Sequence, residues 1–385
     1  MNNVAVVGIG VTKFGELWNE SLRNLLAKSQ LSAINDAKLS PKQIDMIITG
    51  NMLAGEFAGQ NHLGAMASEI LNINAPSYRI EGACASGSLA LQSGINAIKS
   101  GKAEIVLVNG VEKMTDIAVG QVNSGIMSAA DEETEGYSGA TFCGLYAMMA
   151  RAYMHQYSLT REQLALVSVK NHKHGSLNPI AQFRNEITVE QVLQSSMIAD
   201  PLTILDCSPI SDGAASVILA SENFARKITD TPIWITGSGQ ATDTIALHKR
   251  KSLIDMPATK IAAAQAFTQS KISPNQISIT EVHDCFTIAE ILAMEGLGLV
   301  EQGAAGKAVE QGITYFDGKI PINPCGGLKA CGHPIGATGI KQVVEVVTQL
   351  RGEAGKRQVN NPIYGLTHNV GGTGATVAVN IFKRD

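Results

Sequence analysis

Short apolar runs alternate with longer stretches of helical period along this chain, and the alternation is written twice. Val4-Ala5-Val6-Val7 reads as a first strand, closed by a Gly8-Ile9-Gly10 turn. A helix follows over about 21–37, then Lys38-Leu39-Ser40-Pro41-Lys42-Gln43-Ile44-Asp45, then the strand Met46-Ile47-Ile48-Thr49-Gly50. From residue 233 the order returns. Ile233-Trp234-Ile235-Thr236 is a strand, Gly237-Ser238-Gly239 follows, and a helix runs over about 259–269. Lys271-Ile272-Ser273-Pro274-Asn275-Gln276-Ile277-Ser278 then leads to the strand Ile279-Thr280-Glu281-Val282. The register continues: Gly82-Ala83-Cys84 before the apolar helical run 89–98 matches Cys331-Gly332-His333 before the run 340–350. The closing strands 212–219 and 374–379 also pair.

Two copies of one βα unit predict an α/β fold with two pseudo-twofold-related halves and packed sheets. The spacing between matched positions shrinks from Cys84/His333 to Ser216/Thr376. The first copy therefore carries an insertion. The predicted organisation is a first half made of 1–112 and 205–232, an inserted loop domain over 113–204, and a second half over 233–385. Insertions over a shared site commonly form lids and pockets. The twofold also predicts that two helix starts meet, one carrying Cys84 and one His333.

Composition narrows the class. The chain has 385 residues, 45% hydrophobic but only 5% aromatic, with 38 glycines. This is an aliphatic, closely packed α/β enzyme profile. A net charge of −4 gives no nucleic-acid surface. The opening stretch 1–10 lacks the basic start of a leader, and no apolar run reaches the ~18 residues of a membrane span. The cysteines 84, 143, 207, 285, 325 and 331 have no secreted disulfide spacing. The expectation is a soluble cytoplasmic protein with reduced thiols.

Small residues crowd Cys84 in Glu81-Gly82-Ala83-Cys84-Ala85-Ser86-Gly87-Ser88. A helix start offers free N–H groups and the positive end of a dipole, so the thiol pKa is expected to fall there. Cys84 reads either as a nucleophile with part of an oxyanion hole or as a buried structural cysteine. His333 at the matching helix start reads as a neutral base or as a plain cap. His283-Asp284-Cys285-Phe286 follows a strand end, where active-site groups collect. His283 is a candidate oxyanion donor or water ligand and Cys285 a second acid/base thiol; both also fit a satisfied core. His368-Asn369-Val370-Gly371-Gly372-Thr373-Gly374 is a tight turn or a second set of oxyanion donors. Cys325 and Cys331 near His333 match no common zinc spacing, so no metal is expected. Lys170, His172, Lys173, His174, Arg184 and Lys249-Arg250-Lys251 are basic clusters, read as solvated surface or as contacts to a phosphorylated cofactor.

Together, Cys84, the His283–Phe286 block, Gly332-His333-Pro334-Ile335-Gly336-Ala337-Thr338-Gly339 and the late Gly-rich turn resemble the thiolase superfamily, in order and over essentially the whole chain. His-Asp-Cys-Phe resembles the sterol-carrier-protein-2-type and archaeal acetoacetyl-CoA thiolases. The resemblance implies a five-layered αβαβα core with an inserted loop domain. It implies Cys84 as the acylated residue, His333 as its activator and an oxyanion donor, and N–H groups of Cys84 and Gly371 as the other hole. Most thiolases place the acid/base cysteine in a late Cys-x-Gly-Gly-Gly block; Asn369 stands there here, so the resemblance moves that role to Cys285. It matches Ser208 to a serine touching the CoA arm. It implies reversible condensation of two acetyl-CoA to acetoacetyl-CoA and CoA, with no cofactor beyond the CoA thioesters. It also implies a homodimer or homotetramer, and in archaeal relatives an assembly with HMG-CoA synthase and a small bridging protein. A longer-chain 3-ketoacyl-CoA thiolase or a non-catalytic acyl-CoA- or lipid-binding paralogue are the alternatives. The His-Asp-Cys-Phe block counts against ketoacyl-ACP and HMG-CoA synthases.

Overall fold

A computed structural model describes residues 3–385; Met1 and Asn2, the head of the stretch read for a leader, lie outside them. The first half runs β1 (Val4–Val11), α1 (Leu22–Asp36), β2 (Met46–Gly50), α2 (Ala54–Phe57), α3 (Leu63–Ile70), β3 (Ser77–Ile80), α4 (Ser86–Lys99) and β4 (Ile105–Glu112). The chain then leaves the sheet for α5 (Val119–Met127), α6 (Phe142–Tyr157), α7 (Arg161–Ser176), α8 (Val189–Gln194), β5 (Met197–Ala199) and β6 (Leu202–Thr203). It returns through β7 (Gly213–Ser221) and α9 (Glu222–Ile228). The second half runs β8 (Ile233–Thr242), α10 (Pro257–Ser270), β9 (Ile279–Glu281), α11 (Thr287–Gly296), α12 (Ala305–Glu310), α13 (Gly327–Cys331), α14 (Ile335–Leu350), β10 (Tyr364–Gly371) and β11 (Thr376–Arg384).

The sheet order is β3-β2-β4-β7-β1-β8-β11-β10-β9. It reads as one half-sheet followed by the mirror order of its copy, joined where β1 meets β8 over only two residue pairs. Side-chain alternation assigns the layers. On β1, Val4 and Val6 enter a core shared with α4 and α14, while Ala5 and Val7 face α1 and α3. On β4, Val106 and Val108 face inward and Ile105 and Leu107 outward in the same way. The inner core also takes Ile235, Ile279 and Phe382 from the second half-sheet, so α4 and α14 lie between the half-sheets. Helices α10 and α11 cover the far face of β10 and β11. The five layers are in place. Among the described residues no helix is long and apolar enough to cross a membrane.

The matched motifs fold alike. Pro41–Gln43 and Pro274–Gln276 are both single 3-10 turns, and the Gln43 and Gln276 side chains accept the N–H of Ser40 (2.9 Å) and Ser273 (3.0 Å). The Gly8-Ile9-Gly10 segment differs from the expected turn: β1 continues through it to Val11. Its glycines serve helix packing. A Cβ on Gly10 lies 2.3 Å from the Ser29 carbonyl of α1, and one on Gly239 lies 2.0 Å from the Ala262 carbonyl of α10. In both halves a helix lies directly on strand backbone, which only glycine permits.

Candidate active site

Cys84 is delivered by an elbow between β3 and α4. Ala83 takes φ +52, an unusual conformation for a residue with a Cβ. The Ser86 hydroxyl accepts the Gly82 N–H (3.0 Å) and donates to the Ala83 carbonyl (2.6 Å), which clamps the elbow. On the opposite side Gly332 turns at φ +111, His333 follows, and Pro334 caps α14. The two helix starts touch backbone to backbone: a Cβ on Gly339 lies 2.5 Å from the Ser88 nitrogen. Glu112, buried at the end of β4, accepts N–H groups from Gly336 (3.0 Å), Met52 (3.0 Å) and Leu53 (3.1 Å), and so ties α14 to the first half. The sulfur of Cys84 and one ring nitrogen each of His283 and His333 all lie within 4.8 Å of one another. The histidine rings meet edge to face, centroids 5.0 Å apart. Cys84, His333, Cys285 and Ser208 line one cavity of about 300 Å³.

Hydrogen bonds fix both imidazole tautomers. Thr338 donates its single hydroxyl proton to the Pro334 carbonyl (3.0 Å), so it accepts from His333 Nδ1 (2.6 Å). His333 Nε2 therefore keeps its lone pair. Burial holds the pKa of His333 down to about 3, so it is neutral. At His283 the assignment reverses. The Asn369 amide nitrogen donates to the Cys84 carbonyl (3.0 Å), which can only accept, and it also meets His283 Nδ1 (3.1 Å). Nδ1 is thus an acceptor and Nε2 carries the proton. That N–H is buried and has no partner among the described residues. Burial, with His333 and His368 next to it, keeps His283 neutral. One histidine offers a base and the other a donor. Asn369→Leu leaves His283 Nδ1 and the Cys84 carbonyl unpaired, at about 1–3 kcal/mol per buried group. The expected result is a fall of about 10–100-fold in kcat, read by steady-state kinetics.

The Cys84 thiol departs from expectation. Its own N–H and that of Gly372 favour the thiolate, but burial dominates and the Glu112 carboxylate adds to it. The pKa rises to about 12 instead of falling. Met52, Leu53, Phe57, Met114 and Val122 form the apolar wall responsible. Cys84 is therefore a protonated thiol at rest. Its alkylation by iodoacetamide should climb about tenfold per unit between about pH 7 and about pH 10, with no plateau. A plateau at lower pH would mean a resting thiolate.

Cys285 sits at the turn between β9 and α11. Burial and the neighbouring Cys84 sulfur push its thiol well up. Tyr146, buried on α6, stacks on Phe286 (centroids 4.6 Å) and donates to the Gly372 carbonyl (3.0 Å). No signal in the sequence singled it out; it lies among the apolar positions of an ordinary helix. Asp284 accepts the N–H groups of Leu328 (2.6 Å) and Lys329 (3.2 Å), starting α13 and setting the path to His333. Ser208 lines the cavity, and its N–H donates to the Cys285 carbonyl (2.9 Å).

Other expectations are corrected. Gly371 ends β10, opposite Thr376, and its carbonyl takes the Gly374 and Ala375 N–H groups. Gly372, at φ +62, is the next residue of the turn, and its N–H favours the Cys84 thiolate. The basic cluster is not free to meet a phosphate at all of its positions. Lys170 is buried against Glu290 (2.7 Å), and His172 and His174 are buried on backbone carbonyls. Arg250 donates to the Thr373 carbonyl (2.6 Å) and so braces the Gly-rich turn. Lys173, Arg184, Lys249 and Lys251 remain exposed. Cys325 is buried against Glu281 (2.9 Å) and Lys341 (2.5 Å). Cys331 meets the Asn178 amide (3.7 Å).

Residues 4–223 match the thiolase N-terminal domain, and residues 239–384 the thiolase C-terminal domain-like family. The chain belongs to the thiolase family. The acetyl-CoA acetyltransferase of Methanothermobacter thermautotrophicus is 54% identical over 385 residues, all of both chains. That of Methanocaldococcus jannaschii is 47% identical over 391 residues, covering 100% of this chain and 99% of the relative. Among solved structures, the Ltp2-ChsH2(DUF35) aldolase superposes with TM-score 0.87 at 25% identity, over 100% of this thiolase and 98% of that chain.

Proposed function

We propose that this thiolase is an acetyl-CoA C-acetyltransferase, condensing two acetyl-CoA to acetoacetyl-CoA and CoA and running the reverse. The observation that carries the reading is the convergence of Cys84, His333 and His283, with Cys84 and His333 lining one cavity beside the Cys285 thiol. The two archaeal relatives, named for this activity, support it.

A protonation sequence follows from the groups as placed. His333 Nε2 takes the Cys84 proton as sulfur attacks the thioester, and the N–H groups of Cys84 and Gly372 hold the oxyanion. The departing CoA thiolate takes the Cys285 proton. This leaves a Cys285 thiolate whose raised pKa makes it a strong base, beside a His333 imidazolium. Cys285 then removes the α-proton of a second acetyl-CoA. His283 Nε2–H and the proton on His333 Nε2 hold the enolate oxygen. The enolate attacks acetyl-Cys84, and the Cys84 thiolate recovers its proton from His333. Every proton lent in the first half returns in the second. Ser208, on the cavity wall with its N–H on the Cys285 carbonyl, is the contact proposed for the CoA arm.

The same reading carries a homodimer or homotetramer, and hand-over of acetoacetyl-CoA to an HMG-CoA synthase through a small bridging protein. Its test is thiolysis of a 3-ketoacyl-CoA length series. Fastest cleavage of acetoacetyl-CoA, with ping-pong kinetics, is expected. A preference for long chains assigns the longer-chain alternative, and absence of cleavage with unmodified Cys84 assigns the binding paralogue.

A further inference from the structure

Two cysteines in the same cavity take no part in that sequence. Cys143 is the second residue of α6, whose cap Thr141 accepts the Gly144 N–H (3.1 Å). Cys207 lies just before Ser208. Their sulfurs are 3.6 Å apart, both are half-buried, and both line the cavity. They come from opposite ends of the segment between β4 and β7, so their meeting is a tertiary contact. We propose that Cys143 and Cys207 are a redox modification site, forming a reversible disulfide that throttles the active-site cavity.

The pair is chemically unequal. The Cys207 thiol can turn its one proton to the Thr203 carbonyl (3.4 Å) or to the Cys143 sulfur (3.6 Å), and in the second arrangement it holds Cys143 below the usual thiol range. Cys143 also sits at the positive end of a 16-residue helix. Its place in the first turn of that helix makes Cys143 the attacking sulfur and Cys207 the resolving one. The oxidant is a peroxide. Cys143 sulfur attacks the O–O bond, takes one oxygen as sulfenic acid, and releases water. Cys207 sulfur then attacks Cys143, forming S–S and breaking S–O, with a second water leaving. Two thiols lose two electrons and two protons, and one peroxide becomes two waters. Cys84 and Cys285 are protonated thiols and react more slowly.

Closure of the S–S bond reaches the chemistry through the backbone. The sulfurs must move from 3.6 Å to bonding distance. Cys207 forms a β-bridge with Phe286, and the Ser208 N–H holds the Cys285 carbonyl at 2.9 Å. Drawing Cys207 toward α6 shifts the Cys285 base and narrows the wall beside Ser208. Shifts of about 1 Å cost up to about 100-fold in rate, so a loss of at least about tenfold is expected.

The test treats the reduced protein with hydrogen peroxide, blocks remaining thiols and maps the peptides by mass spectrometry. A Cys143–Cys207 cross-linked peptide is expected, with Cys84 recovered as a free thiol. Thiolysis should fall about tenfold or more and return with dithiothreitol. Cys143→Ser, read against its own untreated rate, should lose nothing at the same dose. Recovery of Cys143 and Cys207 reduced while Cys84 is oxidised overturns the proposal, as does a cross-link that leaves turnover unchanged. The activity arm rests on the thiolase reading, but the peptide map does not. An inactive reduced protein faults that reading, and a missing cross-link faults this one.

Discussion

Cys84→Ala should abolish turnover, with a loss of about 10⁴-fold or more in both directions. No other group can inherit its role. Cys84 sits on the clamped Ala83 elbow, beside the lone pair of His333 and under the N–H of Gly372. Cys285 lies on a different turn, without a histidine lone pair assigned to it. The substitution removes a small buried side chain, so the variant should fold and still bind CoA thioesters. Substrate binding by calorimetry, measured beside the lost rate, separates chemistry from collapse.

Cys285→Ala is expected to have a different effect. General acid–base groups contribute about 10²–10⁴-fold, and condensation should fall by that amount. Transfer of the acetyl group to Cys84 should persist at a reduced rate, because His333 and the N–H donors remain. The chemistry then stalls at the acyl-enzyme. A quench-flow trace should show a burst of one acetyl per chain followed by slow turnover. Loss of the burst together with the condensation would make Cys285 indispensable to the first half-reaction as well.

Much of this site was legible in the sequence, for a physical reason. Cys84 and His333 lie far apart in the chain, yet both stand before a helix in matched copies of one unit. A twofold then brings such positions together, and glycines 87, 336 and 339 allow the approach. The Ser-Pro-x-Gln turns marked the register because their side chains cap their own backbone, which is local chemistry. What failed depended on tertiary surroundings. The dipole argument for a low Cys84 pKa is local, whereas the burial that reverses it comes from α2, α5 and the β2–α2 corner. The basic cluster on α7 looked solvated because its spacing says nothing of Glu290, which pairs Lys170 from α11. Asn369 was noticed for what it replaces. Its work, orienting His283 while holding the Cys84 carbonyl, appears only once three chain segments meet. Tyr146 had no local mark at all.

The most direct test of the account is to mix Cys285→Ala protein with acetyl-CoA, quench in acid and map the acetyl group by mass spectrometry. The account predicts a single acetyl group, on Cys84, and free CoA released in equal amount. An acetyl group on any other residue, or intact acetyl-CoA with Cys84 unmodified, would contradict it.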